Sequence, residues 1–389
     1  MYPNTAKTCP RCATGAGTGE RRAVNVLTLN SGSSSLKFGV YRVDSSEPVP
    51  LVTGAIETGA GAQAGDQIAA VLTKVGDTAP DAIGHRIVHG GPSLRQPCRI
   101  DSAVLRTFEA AIPFAPQHLP AELALVRAAG ERFPSVPQVA CFDTGFHAAM
   151  PAIATTLPLP EDVRQRGVQR YGFHGLSCAS IVRQLGAGLP DRLVIAHLGN
   201  GASVTAVKAG RSIDTSMGLT PSGGVIMGTR AGDLDPGVLV YLMREMGLDA
   251  DGIETLIDKR SGLLGISGVS NDVRQLHAAA ATSPRAALAL AMFARSVAKQ
   301  IAAMIVSLGS IDALVFTGGI GENDPNARTA VIEGLSWTGI AIDEAANRLT
   351  GNPVNAIFSR AAILVLPARE DEEIARHTRH LMQGTKARS

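Results

Sequence analysis

The chain has 389 residues, too many for one typical domain and enough for two with cores of their own. Hydrophobic residues make up 45% and charged residues 18%, and a formal charge of +2 gives no basis for a nucleic-acid or anionic-membrane partner. The most apolar helical stretch, 286–308, carries Arg295 and Lys299 in its middle and reads as a buried helix, not a membrane span. No apolar signal core opens the chain, so a cytoplasmic location is expected. The scattered Cys98, Cys141 and Cys178 fit reduced thiols.

Residues 1–23 lack periodicity and contain Cys9-Pro10-Arg11-Cys12. Such a pair can be half a zinc site or a redox dithiol. No second pair follows at zinc-ribbon spacing and no strand precedes it, so a disordered extension is expected, with the fold starting at Ala23 or Val24. An apolar run, 24–29, then leads into Leu29-Asn-Ser-Gly-Ser-Ser-Ser-Leu-Lys-Phe38, and an alternating run follows to Val43. Strand, small turn and strand predict a hairpin that presents hydroxyls and backbone N–H groups, a concave array suited to a phosphate, with Lys37 in reach. The same grammar returns at 193–207 around His197-Leu198-Gly199-Asn200-Gly201. Two copies, one per half, predict two similar domains with a cleft between them.

After a third strand near 51–56 and a short helix at 66–75 comes Gly84-His-Arg-Ile-Val-His-Gly-Gly91. An arginine inside an apolar strand needs a partner or a polar cavity, so Arg86 is either a site residue or half of an internal ion pair. His85 and His89 read as structural histidines more readily than as metal ligands, because their surroundings are not helical. Helices are expected at 102–112 and 120–133, joined by a loop containing Gln117. The strand 136–142 ends at Asp143, where open α/β sheets place their chemistry. Arg170 to Ser177 is a Gly-flanked turn with His174 at its apex. The stretch 214–236 is rich in Gly, Ser, Thr and Pro and holds Arg230. Loops of this length are functional or disordered, and Met217, Val225, Ile226 and Met227 favour order. Helices follow at 236–246, 251–259 and 284–308. A strand at 313–316 then enters Gly318-Gly-Ile-Gly-Glu-Asn323 before another helix, and the strand 362–366 precedes an acidic helix start at Glu370.

Seven segments in this order, 29–38, 84–91, 142–147, 171–175, 197–201, 227–236 and 316–323, resemble the acetate/propionate kinase family from Val24 to about Thr378. The resemblance implies an α/β fold of duplicated sugar-kinase, heat-shock-ATPase and actin-like (ribonuclease H-like) domains with the active site in the cleft. One domain would span 24–165, completed by a C-terminal helix at about 368–389, and the nucleotide-binding domain would span 166–367. It implies a homodimer acting reversibly on two small molecules, ATP and a short carboxylate, acetate first of all, with Mg2+ or alternatively Mn2+ as cofactor, to give ADP and an acyl phosphate, acetyl phosphate in the case of acetate. By the same resemblance Asn30 and Glu370 match the metal positions. Lys37, His197, Leu198, Gly199, Asn200 and Gly201 match phosphate contacts, and Asp272, Val273, Arg274, Gly319, Ile320, Gly321, Glu322 and Asn323 match the remaining nucleotide contacts. Arg86 matches the substrate arginine, and Val88, Gln117, Phe173 and Pro221 match the lining of the acid pocket. Asp143, His174 and Arg230 match the catalytic positions.

Four departures stand out. Gln117 replaces a usual leucine in the acid pocket and Leu119 a usual asparagine. Leu176-Ser177-Cys178 stands for Thr-Ser-His, and Arg369 replaces a small or amide residue before Glu370. A kinase of propionate, butyrate or a hydroxylated acid is therefore one alternative, and an actin- or heat-shock-like ATPase switch without an acid acceptor is another. Neither a Gly-x-Gly-x-x-Gly after an early strand nor a P-loop motif exists in the chain.

Overall fold

The computed structural model describes residues 23–32, 35–44, 47–57, 63–76, 78–349 and 351–383. The Cys9/Cys12 segment and Ser33–Ser34 of the first turn lie outside the described residues.

Eleven strands among the described residues form two sheets. The first holds β1 (Val24–Ser31), β2 (Ser35–Val43), β3 (Val49–Glu57), β4 (Ala82–Ile87), β5 (Cys98–Arg99) and β6 (Gln138–Phe142), in the order β3-β2-β1-β4-β6-β5. The second holds β7 (Arg192–Leu198), β8 (Ala202–Lys208), β9 (Arg211–Thr215), β10 (Ala313–Thr317) and β11 (Ala362–Val365), in the order β11-β10-β7-β8-β9. Read outward from each hairpin, the two are one pattern. An antiparallel meander (β1-β2-β3 or β7-β8-β9) continues into parallel neighbours (β4 and β6, or β10 and β11). The expected duplication is present, and it begins in both halves at the hairpin that the sequence repeats.

Period-two side chains let each sheet bury both faces. In β1, Leu27 and Leu29 pack with Ile68 and Val71 of the helix Ala64–Val75 and with Leu125 of the helix Leu119–Arg132. Val26, on the other face, meets Ala375 of the helix Glu370–Gln383. In the second sheet, Leu193, Ile195 and Val315 pack on Ile181 of the helix Gly175–Leu185. Val194, Val204 and Leu314 share a core with Phe293, Val297 and Ile301 of the helix Pro284–Leu308. That helix is long and apolar enough to cross a membrane, yet its buried stripe is spent on this sheet.

The helices Gly175–Leu185 and Glu370–Gln383 pack against each other and join the two halves. Leu176 and Ile374 cluster with Val139 and Cys141 of the first sheet. Glu373, fully buried, is held by Arg183 at 2.6 Å and Arg376 at 2.7 Å. Their N-termini, at His174 and Glu370, open onto one cavity. Two helix N-termini favour negative charge there.

Candidate active site

The parallel strands of both sheets end at this cavity, of about 400 Å3. From the first sheet come Asn30 at the end of β1, Lys37 opposite it on β2, Arg86 in β4, Val88 just beyond, and Asp143 after β6. From the second come His197 at the end of β7, the turn Gly199–Gly201, and Gly318–Gly319 after β10. Phe173, Pro221 and Arg230 complete the wall. Residues of the first hairpin and of its repeat thus face one another across a single space.

Arg86 is both things its sequence context allowed: it forms an internal ion pair and it lines the cavity. Its Nε and Nη2 donate to Asp143 Oδ2 at 3.0 and 2.5 Å, and its Nη1 donates to the Ser31 carbonyl at 2.6 Å. Burial opposes the charge on Arg86, but Asp143, Glu122 and Glu370 outweigh it and keep the guanidinium charged. Asp143 is itself buried, and Oδ1 has no hydrogen-bond partner among the described residues. Burial raises its carboxyl above the ordinary aspartate value against the pull of Arg86.

His174 begins its helix at φ 57°, left-handed backbone that turns the imidazole inward. Gly175 follows at a point where a Cβ would lie 2.2 Å from the Asp143 carbonyl, so only glycine lets the two segments meet. The His174 and His197 rings stack 4.2 Å apart, with Nδ1 of one on Ser203 Oγ at 2.9 Å and Nδ1 of the other on Ser177 Oγ at 2.8 Å. Burial, His197, Arg86 and Arg230 hold His174 well below the ordinary histidine value, so it is neutral. The long 214–236 segment is ordered: Met217, Val225 and Met227 are fully buried, and Asp233 Oδ1 accepts from Gly224 N at 2.7 Å. It brings Arg230 Nη1 to the Pro221 carbonyl at 3.1 Å. A Cβ on Gly201 would come within 3.2 Å of Arg230 Nη1 and 3.3 Å of His174 Nε2, which is how closely these three segments converge.

Asn30 Nδ2 donates to Glu370 Oε2 at 3.0 Å and to Asp371 Oδ1 at 3.1 Å. Burial would raise the Glu370 carboxyl, but His197, Arg86, Asn30 and Lys37 hold it below the ordinary glutamate value. An ionised carboxylate beside a second one and an amide is a hard oxygen set of the kind that holds Mg2+ through one or two carboxylates and water.

A second cavity, of about 700 Å3, adjoins the first and shares Gly199, Asn200 and Gly319 with it. Asp272, Val273, Arg274, Ile320 and Asn323 line it. Glu322 faces the first cavity, but its Oε1 is taken by the N–H groups of Gly318 at 2.9 Å and Ala368 at 3.0 Å. Leu198 and Gly321 line neither cavity and are buried behind the wall. Gln117 also stays off the main cavity. It lines a side pocket of about 30 Å3 and donates from Nε2 to Asp258 Oδ2 at 3.3 Å.

Three site neighbours escaped the sequence reading. His118 lines the cavity, Glu122 lies under Arg86, and Asp371 sits beside Asn30. Only Glu122 carried a signal, an acidic residue on the buried stripe of an amphipathic helix. His85 and His89 are structural, one against Gln138 at 2.6 Å and the other accepting from Gly91 N at 2.8 Å among the rings of Phe114, Tyr171 and Phe173.

The model of the acetokinase family matches residues 60–376. An acetate kinase of Deinococcus radiodurans is 42% identical over 398 aligned residues, covering 92% of this chain and 98% of that protein. The crystal structure of Porphyromonas gingivalis acetate kinase superposes with a TM-score of 0.81 at 35% identity, over 92% of this chain and all of that one. A propionate kinase from Francisella tularensis superposes with a TM-score of 0.83 at 35% identity and the same coverage. The two matching sheets are the duplicated sugar-kinase and actin-like architecture. With that fold, those segments and relatives over 92% of its length, the chain belongs to the acetokinase family.

Proposed function

We propose that the chain transfers the γ-phosphoryl group of ATP to the carboxylate of acetate, reversibly, giving acetyl phosphate and ADP. The observation that carries this reading is the convergence of Arg86 and Arg230, one from each half, on one cavity with His174 between the strand ends. A carboxylate nucleophile is already ionised at neutral pH, with an unperturbed value of about 4. The obstacle is repulsion between two anions, and the remedy is a set of fixed cations and donors around the moving group.

In this reading the acid lies against Val88, Phe173 and Pro221 with its carboxylate toward Arg86. The adenosine occupies the 700 Å3 cavity, and the phosphates cross the shared Gly199–Asn200 and Gly319 rim toward Lys37 and His197. With the Ser203 hydroxyl donating to Nδ1, His174 carries its proton on Nε2 and donates to the transferring phosphoryl oxygens as a neutral imidazole. Arg230 adds the charge that stabilises the transition state. Asp143 holds Arg86 through two hydrogen bonds, so it orients the arginine and does not act as a base. Asn30, Glu370 and Asp371 would hold Mg2+, which when bound neutralises charge on the nucleotide phosphates. The full assembly is read as a homodimer, supported by the exposed Val240, Tyr241, Met243 and Met246 along and just beyond the helix Pro236–Glu245. Sedimentation of the full chain tests that.

Hydroxylamine trapping of the acyl phosphate across acetate, propionate, butyrate and glycolate, with ATP and with pyrophosphate, tests the reaction. ATP hydrolysis with no acyl hydroxamate from any acid would favour an ATPase switch. Such a switch gives no reason for two arginines, one from each half, at one cavity. Loss of rate in Asp143→Asn through a raised acetate KM supports the orienting role, whereas an unchanged acetate KM would remove it.

A further inference from the structure

The helix Leu119–Arg132 buries Glu122 in its first turn, 3% exposed, directly under the acid end of the cavity. Oε2 accepts from Val88 N at 3.0 Å, the backbone of a pocket-lining residue. Oε1 has no hydrogen-bond partner among the described residues and lies 3.8 Å from Arg86 Nη1. Arg86 meanwhile gives Nε and Nη2 to Asp143. One guanidinium is therefore flanked by two buried carboxylates before any acid arrives.

We propose that Glu122 is a positioning residue for Arg86, and that it takes up a proton from solvent when the acid binds, so that the acid's carboxylate takes over its charge beside the guanidinium. The inference rests on the reading of Arg86 as the acid-binding arginine. Three carboxylates around one buried cation cannot all stay ionised cheaply. The one to neutralise is the one that makes no hydrogen bond to the arginine, and that is Glu122. Burial pushes its carboxyl up to about 7, with Arg86 and the Val88 N–H pulling down and Asp143 pushing up. An arriving anion pushes the same way as Asp143. Protonation leaves Oε2 free to keep the Val88 N–H, so the pocket wall survives the change.

The other groups around Glu122 do not take this role. His118, one turn earlier, is held at about 3 by burial and by Arg230 and Arg86, so it is neutral throughout. On the neighbouring helix Ser102–Ala111, Glu109 pairs with Arg127 at the exposed surface, and on Ala64–Val75 Lys74 donates to the Ala55 carbonyl. Of the carboxylates in direct contact with Arg86, Asp143 is the competitor for the proton, since burial raises it too.

Two measurements on the full chain test this. Acetate KM in the wild type is expected to rise on the order of tenfold from pH 6 to pH 8, as Glu122 ionises in the free enzyme, while ATP KM does not follow. In Glu122→Gln, which keeps an acceptor for Val88 N–H and carries no charge, acetate KM is expected to stay flat over that range. A wild-type rise retained in Glu122→Gln would move the proton to Asp143 and overturn the proposal. Calorimetry of acetate binding with MgADP, in two buffers of different ionisation enthalpy at pH 7, is expected to show uptake of roughly half a proton. No uptake would overturn the proposal even if the variant did not fold. Arg86→Ala separates the two levels. A strongly raised acetate KM in that variant, together with either negative result, sinks the proton uptake alone, whereas an unchanged KM sinks the acid-binding reading with it.

Discussion

His174 and His197 stack ring on ring, 4.2 Å between centroids and 23° from parallel, although one comes from a helix N-terminus and the other from a strand end. Two protonated imidazoles could not share that contact between Arg86, Arg230 and Lys37. Both titrate below the ordinary value, chiefly because they are buried. The pair is therefore neutral at working pH, and kcat should show no histidine limb between pH 6 and pH 7. Truncating one ring, His174→Ala, should lower kcat on the order of 10²-fold with acetate KM within about threefold of wild type, as for loss of one transition-state donor. Steady-state kinetics over pH 5.5–8.5 checks both.

Arg230 has no carboxylate within ion-pair distance among the described residues, unlike Arg86. Its charge is uncommitted until the phosphoryl group moves. Arg230→Ala should cost on the order of 10³-fold in kcat with a small change in either KM, whereas Arg86→Ala should act mainly on acetate KM.

The acid pocket should be set by Val88 and not by Gln117. Gln117 spends its amide on Asp258, away from the main cavity. Gln117→Leu should change acetate kcat/KM by less than about threefold, while Val88→Ala should shift preference toward propionate and butyrate by about tenfold, the worth of one or two methylenes. Relative kcat/KM values across the four acids decide it.

Asn30, Glu370 and Asp371 share one polar cluster. Glu370→Gln removes the carboxylate that the surrounding cations keep ionised. The Mg2+ concentration for half-maximal rate should rise at least about tenfold, while chelation of the metal should abolish wild-type turnover. Titration of the rate with Mg2+ at fixed ATP measures this.

Acid should destabilise the fold early. Seven histidines, His85, His89, His118, His147, His174, His197 and His377, are held below the ordinary value by burial. Each stays neutral in the folded chain while the unfolded chain takes up protons below about 6.5, so stability is full above that value and lost as pH falls. Glu122, Asp143, Asp371 and Glu372 are raised by burial and work the other way, since the cost of their charge is relieved as pH falls. Seven against four, the melting temperature should fall from pH 7 to pH 5. Scanning calorimetry at three pH values checks the sign.

Much of this protein was legible in its residues. The repeated strand, small turn and strand of 24–43 and 193–207 predicted both sheets, because period-two alternation and turn chemistry are local properties. Arg86 announced itself, since a charged residue in an apolar strand must be answered somewhere. What local pattern cannot carry is which answer it gets. Asp143, Glu122 and the Ser31 carbonyl reach Arg86 only because parallel strands β1, β4 and β6 end side by side under one helix. The same holds for Gln117, which the resemblance put in the acid pocket and which the loop turns toward Asp258, 141 residues away in the chain. Residue type and spacing determined the elements and the charges available. Only the closing of two halves around one space decided which charges meet, because Coulomb and hydrogen-bond energies depend on distances that no sequence interval sets.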